Sequence, residues 1–480
     1  MILSCANEPS SRTLEATFRC FGDPYRHSLL DSCRRAGIWP LGASLDPLIA
    51  CERPQAVNPQ VDPSRLRKLQ FTGILSGFAA GAWLGAAEAP TKLVNLGISP
   101  VIISLLMVSG VFLARWTVPA LIRGTAQMRA DARQAPHLIL WGVLAGCLWA
   151  VANTLTVFAI RDIGLSVAFP LWNLNSLLGI FWGWLLFREL RGAEKGRLFS
   201  VIGGAVVMFF GATMLALASS AQSGGAAATR GIVAALAAGA LWGTMYIPYR
   251  KAYLSGMNPL SFVAFFTVGE LGMMLSLALA ETGSGAALIK QLSRSGDVLF
   301  WLMLGGFVWV IGDLFQQYAA KYLGISRGIP LSNTNQLWGL LWGVFVFGEL
   351  HGSTAGHSAR VIAGSLLMAA GAGAIALASV TRGEHRNWQE AMGREVHKYG
   401  IGADYAQSAI TGESNEVEGS RSWVDWLLLA MTSGIFLYLG SIARMPQISL
   451  HWPALVLLSL ASLLILAIAA FSLFKTTRFR

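Results

Sequence analysis

Apolar runs of about 20 residues, divided by short polar links, recur along most of this chain. Each is long enough to cross a hydrocarbon layer roughly 30 Å thick as a helix, and a helix satisfies its own backbone where no water can. Charged residues make up 13% of the 480 positions, against about a quarter in ordinary soluble domains, and mean hydropathy is +0.54. The expected fold is therefore an all-α polytopic membrane protein. Ten runs form a main body, at 69–90, 98–119, 137–158, 163–187, 198–219, 231–250, 259–280, 299–320, 325–348 and 359–380. Two more, at 424–443 and 452–474, follow a polar stretch.

The net charge of +11 is not a nucleic-acid face, because basic residues gather at alternate links. Arg65, Arg67 and Lys68, then Arg123, Arg129 and Arg133, then Arg188, Arg191, Lys195 and Arg197, then Arg250 and Lys251 form the rich set. The intervening links carry Lys92, Arg161 and Arg230. This bias places the start of the first span in the cytoplasm, although Lys290 and Arg294 on an outer link run against it, and the expected location is the cytoplasmic (inner) membrane. Four of the five cysteines precede the first span, with no metal-ligand spacing, so neither a metal site nor a disulfide framework is expected.

Self-similarity orders the rest. Residues 146–190 align with 306–350 at a constant offset of 160, without a gap. Identities include Trp149/Trp309, Gly164/Gly324, Pro170/Pro330, Asn173/Asn333, Asn175/Asn335 and Glu189/Glu349. Shared hydrophobicity cannot put Pro, Asn and Glu in register, so this is a duplication. Upstream, residues 73–90 answer 231–248, including a glycine ridge at Gly73, Gly77, Gly81 and Gly85 that lets a neighbouring helix approach closely. Each half holds five spans, an odd number, so the second half enters the membrane from the opposite side. The expected architecture is a ten-span core of two inverted five-helix repeats, 67–225 and 226–380. A leader (1–66), a polar cytoplasmic linker (381–423) and two additional spans (424–480) complete it. Inverted repeats provide alternating access, with solute held near the midplane where the halves meet.

These residues resemble the drug/metabolite transporter superfamily: five-plus-five spans, Gly-[Leu/Ile]-Ser leading to Pro-Leu, and closing Phe-x-Glu-Leu segments at Phe187–Leu190 and Phe347–Leu350. The segments from Pro170 and Pro330 look most like those of the glucose/ribose porter branch, the sugar uptake permeases. The resemblance covers about residues 69–380. It implies a transporter rather than an enzyme, a monosaccharide as substrate, and a meeting of the third, fourth, eighth and ninth spans at the repeat interface. An exporter of amino acids or drugs has the same architecture, and a membrane sensor or scaffold is a third reading. No zinc-protease, nucleophile-elbow or phosphate-loop motif is present.

Polar side chains within spans are costly and mark a cavity or a partner. The candidate substrate-binding set is Asn153, Asn173, Asn175, Asp313, Gln317, Asn333, Asn335, Gln336 and Trp338. Amides suit a neutral polyol because each offers donors and acceptors together, and Trp offers a flat face. The same amides could instead be inter-helix glue. Asp313, or Glu88 near the end of the first span, is the candidate proton-coupling group, with Glu270 as a rival. Pro170 and Pro330 are expected to bend or open their helices. Glu189 and Glu349, at helix ends beside links, are expected to cap or pair at the surface. Expected partners are a small-molecule solute, the bilayer, protons and a second copy of the chain; no cofactor and no nucleic acid are expected. The leader lacks an apolar core for a signal peptide and lacks periodicity, and is expected to be disordered or an over-long start, with translation beginning near 57–66. Mass spectrometry of the purified N-terminus is expected to find it there, and an intact Met1 would refute that start.

Overall fold

The computed structural model describes residues 63–87, 98–163, 171–172, 175–190, 193–218, 226–346, 354–378, 382–402, 405, 421–444 and 450–479. Glu88, Pro170, Asn173 and Glu349 lie outside these, as do the leader up to position 62 and the acidic patch at 413–418. Among the described residues all regular structure is helical. In the first repeat run α1 (Pro63–Ala87), α2 (Pro100–Ile122), a short α3 (Ala126–Gln134), α4 (His137–Ile163), α5 (Asn175–Leu186) and α6 (Lys195–Ala218). The second repeat holds α7 (Ala226–Leu254), α8 (Pro259–Thr282), a short α9 (Gly285–Arg294), α10 (Leu299–Leu323), α11 (Ile325–Ser332), α12 (Asn335–Leu341) and α13 (Ala355–Leu377). Then come α14 (Arg382–Tyr399), α15 (Trp423–Ile442) and α16 (Trp452–Thr477).

Nine of these helices are long and apolar enough to cross a membrane. The other three expected spans are α1, whose first turns carry Arg65, Arg67 and Lys68, the shorter α5, and the broken pair α11–α12. The polytopic all-α fold and its ten-plus-two plan therefore hold. The repeats even share helix-start chemistry. Ser99 caps α2 by accepting from Val101 N, with Pro100 at the first helical position; Asn258 caps α8 by accepting from Leu260 N, with Pro259 in the same place.

Packing follows the inverted symmetry. The crossing of α1 on α10 answers that of α7 on α4, α2 on α10 answers α8 on α4, and α6 pairs with its own equivalent, α13. Glycines make these crossings possible. A Cβ at Gly306 would land on the carbonyl oxygen of Met107, and one at Gly110 on that of Met303. The symmetry-related crossing of α4 and α8 does the same, with Gly146 against Phe266 O and Gly269 against Val143 O. Between α6 and α13, a Cβ at Gly204 would come 2.7 Å from Gly371 O, and one at Gly371 2.6 Å from Gly204 O. Along the ridge of α1, a Cβ at Gly85 would come 2.6 Å from Asn335 O, and on α7 one at Gly243 would come 3.3 Å from Asn175 O.

The added spans are tied to the core by side chains. Thr432 of α15 hydrogen-bonds Thr117 of α2 at 2.8 Å, and Thr72 of α1 meets Ser472 (3.0 Å) and Thr476 (3.2 Å) of α16. Asn258 Nδ2 and Tyr318 Oη both donate to Phe479 O near the chain end. The expected linker contains the helix α14, which docks on the protein. Trp388, Ala391 and Met392 are buried, and Arg250 lies 4.2 Å over the Trp388 ring. Lys251 pairs with Glu395 at 3.2 Å and donates to Tyr399 Oη at 3.1 Å, and Tyr399 stacks on His137 at 3.6 Å. The Lys251 hydrogen bond holds the Tyr399 phenol below its ordinary pKa.

Because backbone cannot yield as a side chain can, Gly306→Leu and Gly146→Leu are each expected to destabilise the protein by about 1–3 kcal/mol or more. Gly272→Leu, on the same kind of helix but with open space around it, is expected to be near neutral. Thermal unfolding in detergent checks all three.

Candidate functional site at the repeat interface

The ninth span is interrupted where the repeats meet. α11 carries Pro330, which has no N–H to give its own helix, and ends at Ser332; Asn333 and Thr334 form a turn before α12 starts at Asn335. The freed geometry turns Asn333 towards the fourth span. Its Nδ2 donates to Asn175 Oδ1 at 2.8 Å and to Ser176 Oγ at 2.5 Å, both on α5. Beside this amide pair lies a cavity of about 20 Å³ lined by Ser176, Leu177, Met208, Pro330, Asn333 and Gln336, among others. Gln336 Nε2 is buried and has no hydrogen-bond partner among the described residues. The cavity is thus walled by both repeats and offers a donor without an acceptor.

The other candidates fall in two places. Asn335 and Trp338 lie on α12, where Gly85 of α1 packs against them. Asn153 bonds Ser104 Oγ on α2 at 3.3 Å, inside the first repeat and apart from the amide pair. Trp149 and Trp309, equivalent residues of the two halves, meet edge to face at 5.6 Å and so straddle the approximate two-fold axis.

Asp313 and Gln317 belong to a charged cluster built around a residue not among the sequence candidates. Arg115 of α2 is fully buried, with Nη1 donating to Glu270 Oε2 of α8 at 2.7 Å and Nη2 to Asp313 Oδ2 of α10 at 2.6 Å. Its guanidinium lies 4.5 Å over the Phe266 ring. Gln317 Nε2 donates to Asp313 Oδ1 at 2.8 Å, and Tyr253 Oη donates to Gln317 Oε1 at 2.7 Å. The next residue, Gln316, donates to Ser332 Oγ at 2.6 Å, one position before Asn333. Adjacent glutamines therefore join the charged cluster to the break in the ninth span. The signal for Arg115 was present in the sequence: an arginine in the middle of Val-Phe-Leu-Ala-Arg-Trp-Thr-Val is costly in a span and needs a partner.

Glu189 corrects the expectation of a surface role. It does cap and pair, but it is completely buried. Its carboxylate accepts from Ile325 N (3.3 Å), Ser326 N (3.0 Å) and Ser326 Oγ (2.8 Å), at the N-terminus of α11. It also pairs with Arg250 Nε of α7 at 2.7 Å. Arg250 Nη1 in turn reaches Lys321 O at 3.2 Å, at the end of α10. Four spans are thereby fastened on the near side of the membrane, the side on which α1 begins. On the far side, Asp162 at the end of α4 accepts from Arg230 Nε of α7 at 2.6 Å and from Arg161 Nε at 3.0 Å. The Arg230 hydrogen bond holds the Asp162 carboxyl below the usual range.

This is a polytopic α-helical membrane protein whose two inverted halves enclose paired amides and a buried ion cluster. Residues 267–437 match the model of a family described as sugar transport protein, which bears out the resemblance to the sugar uptake branch. A putative sugar uptake protein of Streptococcus pyogenes is 50% identical over 52 residues, 10% of this chain. The chain spans 18% of the length of that relative. A probable glucose uptake protein of Staphylococcus aureus is 25% identical over 223 residues, 45% of this chain and 70% of its own. One solved structure aligns over 64% of this chain and 98% of its own at 17% identity, with a TM-score of 0.45.

Removing Glu189 strands a buried guanidinium, so Glu189→Ala is expected to cost about 3–5 kcal/mol of stability. Replacing both partners together, Glu189→Leu with Arg250→Met, is expected to recover part of that loss. A thermal-unfolding double-mutant cycle reads the difference.

Proposed function

We propose that this protein takes up a monosaccharide across the inner membrane by alternating access, coupled to protons. The solute site is the amide cavity between the fourth, fifth, ninth and tenth spans. One observation carries this reading: a buried Gln336 amide donor, with no hydrogen-bond partner among the described residues, shares a cavity with Asn333, whose bond to Asn175 joins the two repeats. Hydroxyl groups of a sugar can take over both the empty donor position and the bonds that the asparagines now make to each other. At about 20 Å³ the cavity holds no more than a water or two, so the closed amide pair must part before a sugar fits. Parting it separates the repeats, and that is the motion alternating access requires. The names of the matched relatives support a sugar as solute and uptake as the direction. Protons are exchanged at the charged cluster that holds Asp313, which Gln317 and Gln316 connect to the ninth-span break. The N-terminus of α1 lies in the cytoplasm in this reading, with α14 beneath the membrane.

Purified protein in proteoliposomes is expected to take up a labelled monosaccharide saturably, and faster with an inward proton gradient. Asn333→Ala is expected to lower that uptake about tenfold, the effect of losing roughly 1.5 kcal/mol of hydrogen bonding. Saturable uptake of an amino acid or nucleoside, with no monosaccharide taken up, overturns the reading.

A further inference from the structure

The charged cluster holds two carboxylates and one guanidinium, all buried, about 10 to 17 Å from the near-side ends of their helices at 1.5 Å per residue. If both acids are ionised, the cluster carries one uncompensated negative charge in an apolar layer, which is costly. One added proton balances it. The two acids are held differently. Both oxygens of Asp313 accept from strong donors, Oδ2 from Arg115 and Oδ1 from Gln317, so this group is fitted to remain an acceptor on both sides. Glu270 accepts from Arg115 and from Thr267 Oγ1 (3.1 Å) on the single oxygen Oε2, and its Oε1 has no hydrogen-bond partner among the described residues.

We propose that Glu270 Oε1 is the binding site of the transported proton, with Arg115 and Asp313 as a fixed ion pair that sets the charge it must balance. The proposal rests on the transport reading above and deepens it. A proton from one aqueous phase adds to Oε1 and converts the carboxylate into a neutral acid, leaving Arg115 and Asp313 in balance. Its release into the other phase returns the cluster to one net negative charge. The arrangement described here, with α2, α8 and α10 closed over the cluster and water excluded, is stabilised by the protonated form. A sugar-loaded but unprotonated carrier meets a penalty on closing that the empty carrier, with water in place of the sugar, does not, and that difference couples proton to solute.

Among the described residues, Arg115 is the one cation placed against Glu270. From α2 comes Arg115 and from α10 Asp313; α7 contributes Tyr249, Tyr253 and Tyr246, of which Tyr249 faces the cluster. From α4 comes Cys147, whose thiol points at Gly269 O at 3.6 Å. Asp131 of α3 reaches α8 only at its start, through Asn258 N, and α9 begins 15 residues beyond Glu270. The duplication gives the same placement a different chemistry in the other half, where Arg115, Glu270 and Asp313 correspond to Met274, Val111 and Asn153. Among the described residues the duplication therefore does not repeat this cluster.

The test uses full-length protein in proteoliposomes. A one-unit inward pH gradient is expected to accumulate monosaccharide up to about tenfold at one proton per sugar. Glu270→Gln, which mimics the protonated acid, is expected to keep sugar-for-sugar exchange and to bring the accumulation ratio down to about one. In parallel, the unmodified protein is treated with a membrane-permeant carbodiimide, which reacts with protonated carboxylic acids. Mass spectrometry is expected to find the adduct on Glu270, declining as pH rises, and none on Asp313. Gradient-driven accumulation that survives Glu270→Gln, or an adduct on Asp313 or on neither acid, overturns the proposal. Absence of all sugar transport in the unmodified protein overturns the functional reading instead, while the labelling still reports on Glu270.

Discussion

Helices inside a bilayer gain little from hiding apolar surface, because lipid tails are as apolar as the side chains they replace, so close packing has to hold them together. In this protein that task falls on four glycines, Gly110, Gly146, Gly269 and Gly306, each pressed against a carbonyl of a helix in the other repeat. The contacts also decide which side chains meet. Glu270 directly follows Gly269, Asp313 lies two turns beyond Gly306, and Arg115 stands five residues after Gly110. Trp149 and Trp309 sit three residues past Gly146 and Gly306 and so touch across the axis. With bulkier residues at those crossings, the guanidinium and its two carboxylates could not approach to 2.7 and 2.6 Å without water between them.

Duplication supplies every position twice, and the sequence has kept some pairs alike and let others diverge. The amides were kept: Asn175 and Asn335 are equivalent, and one of them pairs with Asn333. The charges were not, since Met274, Val111 and Asn153 stand where a second cluster would form. Amides kept in both halves leave hydrogen-bonding groups on both walls of the repeat interface. A buried charge cluster costs desolvation wherever it is placed, so one copy is the cheaper arrangement.

This difference also explains what could be read before the structure. Matching residues across the halves drew attention to Pro330, Asn333 and Asn175, and these gather at the break in the ninth span. The same comparison hides residues that break symmetry, and Arg115 is one: its partner position is Met274. Its place inside an apolar run was a separate cue. Glu189 was misplaced because a helix end suggests water. The link between α10 and α11 is the single residue Gly324, so the N-terminus of α11 folds straight onto the carboxylate and shuts solvent out. The docking of α14 had no local signal at all, since His137, Arg250 and Lys251, which receive it, lie far earlier in the chain.

The two faces of the repeat interface are fastened unequally. On the near side, the buried Glu189–Arg250 pair also satisfies the N-terminus of α11 and a carbonyl at the end of α10, and Trp388 of α14 covers the guanidinium. Opening there would expose or strand a buried charge, and breaking such a pair costs several kcal/mol unless new partners replace the old. On the far side, Asp162 is held by Arg230, whose own side chain is 65% exposed, so the bond competes with water and is screened by salt. Among the described contacts, those of the far side are thus the easier ones to part. Opening the near side therefore calls for an energy input, or for new partners that take over the charges of Glu189 and Arg250 as they part.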